Sequence, residues 1–111
     1  MRVTPRHLVV LRPTDAFVEW LAGRTPVLGA PTREEVSEDS QVFLVPAGED
    51  RIETERWVLR HWRTLLELQL ADWVPDRRRW PRRLERALFV RWFEVEVHEC
   101  VVDLTPDKAA H

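Results

Sequence analysis

Apolar residues fall along this chain in short unbroken runs and in helical stripes, and the change of rhythm marks the elements. Leu8, Val9, Val10 and Leu11 follow His7 without interruption, and Pro13 closes the run. A continuous β-favouring run of that length predicts a buried strand over 7–11. Val42, Phe43, Leu44 and Val45, stopped by Pro46 and Gly48, predict a second. Runs without polar alternation are expected in a sheet covered on at least one face and, at its centre, on both. A third strand is expected over 93–104. There Phe93, Val95 and Val97 point one way and Glu94 and Glu96 the other. The alternation fails after His98 and Glu99, since Val101 and Val102 are both apolar. That predicts either a bulge or a passage from the sheet's edge into its middle.

The helical stripes lie between these runs. Thr14 is placed as an N-cap before Asp15; Phe17, Val18, Trp20 and Leu21 follow at helical spacing, and Gly23 closes a short helix. Asp50 as N-cap with Glu53 three residues on opens a long helix running to about Trp73. Its inner stripe is Val58, Leu59, Trp62, Leu65, Leu66, Gln69, Leu70 and Trp73, with Arg56, Arg60, Arg63 and Glu67 outside. Pro75 ends it, and Trp80-Pro81 is expected to start a further helix, with Leu84, Ala87, Leu88 and Trp92 facing inward. The stretch 24–40 holds Pro26, Gly29 and Pro31 and reads as an irregular loop, with one helical turn at the capping box Thr32 to Glu35. The tail 105–111 is expected to fray. The whole gives one α+β domain over 1–111, in the order β-α-β-α-α-β, with a sheet of about three strands carrying helices on one face.

Composition narrows the class. The 111 residues are 44% hydrophobic and 32% charged, a folded-protein balance. The formal net charge of −2 offers no global field for nucleic acid or an acidic membrane surface. Lys108 is the one lysine, and the arginine excess is read first as the codon bias of a GC-rich genome. A single cysteine, Cys100, allows no internal disulfide and points to a reducing compartment. No apolar run reaches the length of a membrane span or a signal-peptide core, so a cytoplasmic protein is expected.

Several local patterns occur together. They are Phe43-Leu44-Val45-Pro46, the spacing of Trp62, Leu66, Leu70 and Trp73, Trp80-Pro81, Trp92-Phe93-Glu94-Val95-Glu96-Val97-His98, and Val102-Asp103-Leu104. With Leu11-Arg12-Pro13, Phe17 and Trp20, they resemble a family of small bacterial proteins to which no activity is assigned. The resemblance covers nearly the whole chain and implies a bacterial source. It carries no function. Its members resemble one another in having acidic or mixed residues where this chain has Arg77, Arg78 and Arg79.

Three constellations could carry chemistry. Six tryptophans, Trp20, Trp57, Trp62, Trp73, Trp80 and Trp92, are many for this length. Trp20, Trp62 and Trp92 read as core. Trp57 lies off the main stripe beside His61 and is a candidate interface anchor. Trp73 and Trp80 bracket a loop, and with Trp57, Pro81 and His98 they form the candidate binding groove. Second, Arg77, Arg78, Arg79, Arg82, Arg83 and Arg86 stand before a helix start, where an anion or nucleic acid is favoured. Arg77, Arg79, Arg82 and Arg83 are the candidate anion ligands; the opposing reading is a solvated face paired with Asp72, Asp76 and Glu85. Third, Glu94, Glu96, His98 and Cys100 share one face of a regular strand. Such groups ligate metals or build nucleophiles, but residues ~6–7 Å apart on a strand rarely hold one ion together. A polar strand face is the plainer reading, and no metal or cofactor is expected. There is no glycine-rich phosphate loop and no His-Glu-x-x-His, Cys-x-x-Cys or Gly-x-Ser-x-Gly motif.

The sequence favours a non-enzymatic protein-interaction module, expected as a homodimer. The alternative is a binder of an anionic small ligand or nucleic acid through Arg77–Arg86. A second alternative is an enzyme using His98 with Glu96 or Cys100.

Overall fold

The computed structural model describes residues 2–24, 31–38 and 40–106. In chain order the elements are β1 (Arg2–Val3), β2 (Arg6–Pro13), α1 (Asp15–Ala22), α2 (Arg33–Glu38), β3 (Val42–Pro46), α3 (Arg51–Arg60), α4 (Trp62–Trp73), α5 (Arg86–Trp92), β4 (Phe93–His98) and β5 (Val102–Asp103), with one 3-10 turn at Arg77–Arg79. The protein is α+β. Three antiparallel strands form the main sheet in the order β3-β2-β4, and β1 pairs with β5 in a second, two-stranded sheet.

The central strand sorts the molecule into an inside and an outside. On β2, His7, Val9, Leu11 and Pro13 are buried under the helices, while Arg6, Leu8, Val10 and Arg12 point to the other face. The register carries that division across the sheet. Leu8 pairs with Leu44 and His98, and Val10 with Val42 and Glu96. Beneath the helices, Val9, Leu11, Val45 and Val97 join Phe17, Leu66, Leu70 and Phe89 in one core. Phe17 lies 4.8 Å from Phe93 and 5.3 Å from Trp92, ring centre to ring centre, and Trp20 lies 4.7 Å from Trp92. Trp92 is buried as expected; Trp20 and Trp62 are half-buried against the same core.

Several expectations require correction. The continuous helix expected from Asp50 to Trp73 is two helices, broken at His61. The His61 ring stacks on Trp57 at 3.9 Å, and Nδ1 donates to the Trp57 carbonyl at 2.8 Å. This side-chain bond competes for the backbone acceptor and accompanies a non-helical ψ of 24° at His61. The next helix starts at Arg86, not at Pro81; before it, the Trp80 indole N–H donates to the Val74 carbonyl at 2.7 Å and pins the intervening segment. Its inward residues are Phe89 and Trp92, with Leu88 half-buried and Ala87 exposed. The strand expected over 93–104 ends at His98. The chain then leaves the main sheet, Thr4 N–H bonds the Val101 carbonyl at 2.9 Å, and β5 joins β1. Finally, β2 at the centre of the sheet is covered by helices on one face only, and β3 with its unbroken apolar run is an edge strand.

The caps hold with one change. Asp50 accepts from Glu53 N–H at 2.9 Å, and Thr32 from Glu35 N–H at 3.2 Å, so the capping box opens α2. Within 24–40, residues 25–30 and 39 lie outside the described residues, as does 107–111 of the tail. Thr14 occupies the N-cap position of α1 but does not cap it with its side chain. Its hydroxyl reaches the Arg91 carbonyl at 2.7 Å and the Trp92 carbonyl at 3.1 Å, and its N–H donates to Trp92 at 2.8 Å. It thereby satisfies the end of α5.

One junction seats α3 beneath the sheet. Gly48 N–H donates to the Thr54 hydroxyl at 3.1 Å, which donates in turn to the Asp50 carbonyl at 3.2 Å. His7, buried on β2, meets the same hydroxyl oxygen from Nδ1 at 2.6 Å. With the hydroxyl proton directed to Asp50, His7 is the donor. A side chain at position 48 would bring Cβ to 2.6 Å from Glu53 Cβ and 3.0 Å from Thr54 N, so glycine is required by space. Thr54→Val keeps the shape and removes the shared acceptor, stranding the His7 and Gly48 donors. The expected loss is about 1–3 kcal/mol, read from urea unfolding midpoints. A variant as stable as the parent would show that the junction contributes nothing.

Candidate functional site

The face of the sheet turned away from the helices carries the strand cluster expected from Glu94, Glu96 and His98. Glu96 is its centre. Arg12 forks onto it, Nε to Oε1 at 2.8 Å and a terminal nitrogen to Oε2 at 3.1 Å, and His98 Nε2 donates to Oε2 at 2.7 Å. Glu94 stands opposite Arg12 in the register. The hydrogen bonds from Arg12 first, then from His98, hold the Glu96 carboxyl down at about 2, and the same carboxylate raises the Arg12 pKa. Glu96 is therefore a fixed anion and the partner of a fixed cation. Cys100 lies beyond the strand's end and is exposed, with no hydrogen bond to His98. Among the described residues, no three His, Cys, Asp or Glu side chains converge as a metal site. What the arrangement builds is a charged row along β4.

The tryptophans and His98 line different clefts. Trp57 borders one of about 190 Å³ with Pro46, Gly48, Glu53 and Arg56. His98 borders one of about 410 Å³ between β4 and α3, with Arg12, Arg51, Glu55, Glu94 and Glu96. Trp80 borders a third of about 340 Å³ with Thr64, Glu67, Leu68, Ala71, Pro75 and Arg77. Trp73 packs half-buried against the core with its indole nitrogen buried and without an acceptor, and Pro81 sits half-buried ahead of α5. The residues of the expected groove, Trp57, Trp73, Trp80, Pro81 and His98, are thus distributed rather than gathered.

The arginine cluster is paired in part. Arg78 forks onto Asp76, with Nε at 3.1 Å, and this ion pair lowers the Asp76 pKa. Arg83 reaches Glu85 at 3.6 Å and Arg79 donates to the Arg24 carbonyl at 3.1 Å. Arg77 lies over the Trp80 ring at 4.6 Å and reaches Glu67 only at 3.8 Å. Arg82 and Arg86 are exposed.

The helices cover one face, as expected; the apolar runs alone do not show that Leu8, Val10, Val42 and Leu44 lie on the other. Val42 and Leu44 remain 56% and 53% exposed, and with Leu8 and Val10 they form an apolar patch across β3 and β2. It is bounded by the charged row of β4. The two sheet edges differ as well. The β4 edge is lined by Arg51, Glu55, Glu94 and Glu96, whereas β3 presents Val42 and Leu44 with no charged side chain of its own. A usable signal was present: the alternation of Glu94, Glu96 and His98 marks one face as open, and the neighbours of those residues on β2 must share it.

No family model, curated protein or solved structure matches the chain. Among the described residues, no helix is long and apolar enough to cross a membrane.

The Glu96 cluster has a pH consequence. Its carboxyl is depressed on folding, so its contribution is complete above the ordinary carboxylate range and is lost as pH falls toward about 2. Unfolding midpoints of the parent and of Glu96→Gln should differ near neutrality and converge between about pH 5 and pH 2. A difference that persists unchanged at the acid end would remove this account.

Proposed function

We propose that the protein is a non-enzymatic interaction module that forms a homodimer through the open face of its sheet. One observation carries this reading: Leu8, Val10, Val42 and Leu44 form an apolar patch on the side of the sheet opposite the helices. Apolar runs over 8–11 and 42–45 suit strands covered on both faces, and a second copy supplies the second cover.

The apolar rows are self-complementary, which favours a second copy of the same chain. In a twofold arrangement with the axis across the strands, between the rows of Leu8 and Val10, Leu44 lies on Val42 of the second copy and Leu8 on Val10. The same operation brings His98 over Glu96 of the second copy and leaves Arg12 and Arg6 to meet at the solvated rim. Sheets packed in this way lie ~10 Å apart.

The polar groups favour an interaction role over the alternatives. Glu96 and His98 are bound to each other on an open surface, and Cys100 is not joined to them, which leaves an enzyme reading without a nucleophile and orienting base. The net charge of −2 disfavours nucleic acid as partner. A bacterial cytoplasmic setting belongs to the same proposal, supported by the arginine-for-lysine usage and the single cysteine.

Sedimentation velocity across a concentration series tests it. A dimer is expected at high micromolar concentration, and Leu44→Glu should yield a monomer with an unchanged circular dichroism spectrum. Ile52→Glu, a substitution of an exposed residue on α3, should leave the dimer intact. A parent protein that stays monomeric, or a dimer indifferent to both Leu44→Glu and Val10→Glu, overturns the proposal.

A further inference from the structure

The outer side of α4 carries a cleft that the dimer does not use. Thr64, Glu67, Leu68 and Ala71 recur at helical spacing on the side opposite the core-facing Leu65, Leu66, Gln69 and Leu70. A solvated helix face should be polar there. Instead Leu68 and Ala71 face Pro75 and the Trp80 ring across a space of about 340 Å³, at the small end of ligand-sized cavities. The far wall is fixed in place. The Trp80 indole N–H is tied to the Val74 carbonyl, so the ring cannot turn away, and its polar atom is already satisfied.

The charges at the mouth leave one cation undercommitted. Glu67 is hydrogen-bonded by Arg63 at 3.1 Å, and Asp76 by Arg78 at 3.1 Å. Arg77 stands over the Trp80 ring and comes no closer than 3.8 Å to Glu67, beyond hydrogen-bond reach. Its planar fork is suited to a carboxylate, and its stacked position holds it beside the apolar walls.

We infer that the cleft formed by Leu68, Ala71, Pro75, Trp80 and Arg77 binds a small planar aromatic carboxylate. The ring lies against Leu68, Ala71 and Trp80, and the carboxylate takes the Arg77 fork. Glu67 excludes dianions and stays with Arg63. This inference does not depend on the dimer, because neither Val42 nor Leu44 borders the cleft.

Indole-3-acetate is the probe, titrated into the protein and followed by calorimetry and by the Trp80 indole N–H resonance. Saturable binding is expected, weakening about tenfold for Arg77→Gln and about tenfold for the neutral probe indole-3-acetamide, each a loss of ~1.4 kcal/mol. Leu68→Glu should abolish it. All of these substitutions are on exposed positions, and Leu44→Glu serves as a control that should bind like the parent. No saturation at millimolar probe, or equal affinity in Arg77→Gln, or equal affinity for acid and amide, would overturn the assignment.

Discussion

Strand β2 is paired on both sides, and its two-residue repeat imposes a boundary on everything else. Its odd-numbered residues from His7 to Pro13 go under the helices and its even-numbered ones from Arg6 to Arg12 do not. Because β3 and β4 are locked to it in register, they inherit the same division. The helices then have one face to fill. They fill it with a core dense in aromatic rings, where Phe17, Trp92 and Phe93 meet at the corner between α1, α5 and β4. The His7–Thr54 bond performs the corresponding task at the other end of β2, where α3 begins.

Much of this was legible in local patterns because the physics is local. The stripe through Val58, Leu65, Leu66, Gln69 and Leu70 is buried, since a 3.6-residue period cannot be satisfied in another conformation. The capping roles of Asp50 and Thr32 are short-range hydrogen bonds and appear where expected. The errors have long-range or side-chain causes. The break at His61 depends on an imidazole stacking on Trp57. The delayed start of α5 follows an indole bond spanning six residues. Thr14 caps a helix end 77 residues away, which no neighbour in sequence announces.

The candidate site was less legible than the fold. Val42 to Val45 and Leu8 to Leu11 look the same whether a strand is buried on two faces or one, because strand order decides, and order is set by pairing. The groove imagined from Trp57, Trp73, Trp80 and His98 failed to gather because these residues belong to elements facing different directions. The acidic alternation of β4 carried the better information. A glutamate row marks water, and the apolar neighbours in the same rows then face water too unless another surface covers them.

The pairing of β2 with β4 joins residues about ninety positions apart, as Leu8 opposite His98 shows. During synthesis at a ribosome, β2 emerges early and its partner late. Until β4 has left the exit tunnel, the nascent chain carries an apolar strand with one side unpaired. Contacts this distant close slowly, because the loop between them must be closed before the pairing repays that cost. The strand that organises the sheet is thus the one whose second partner comes last along the chain.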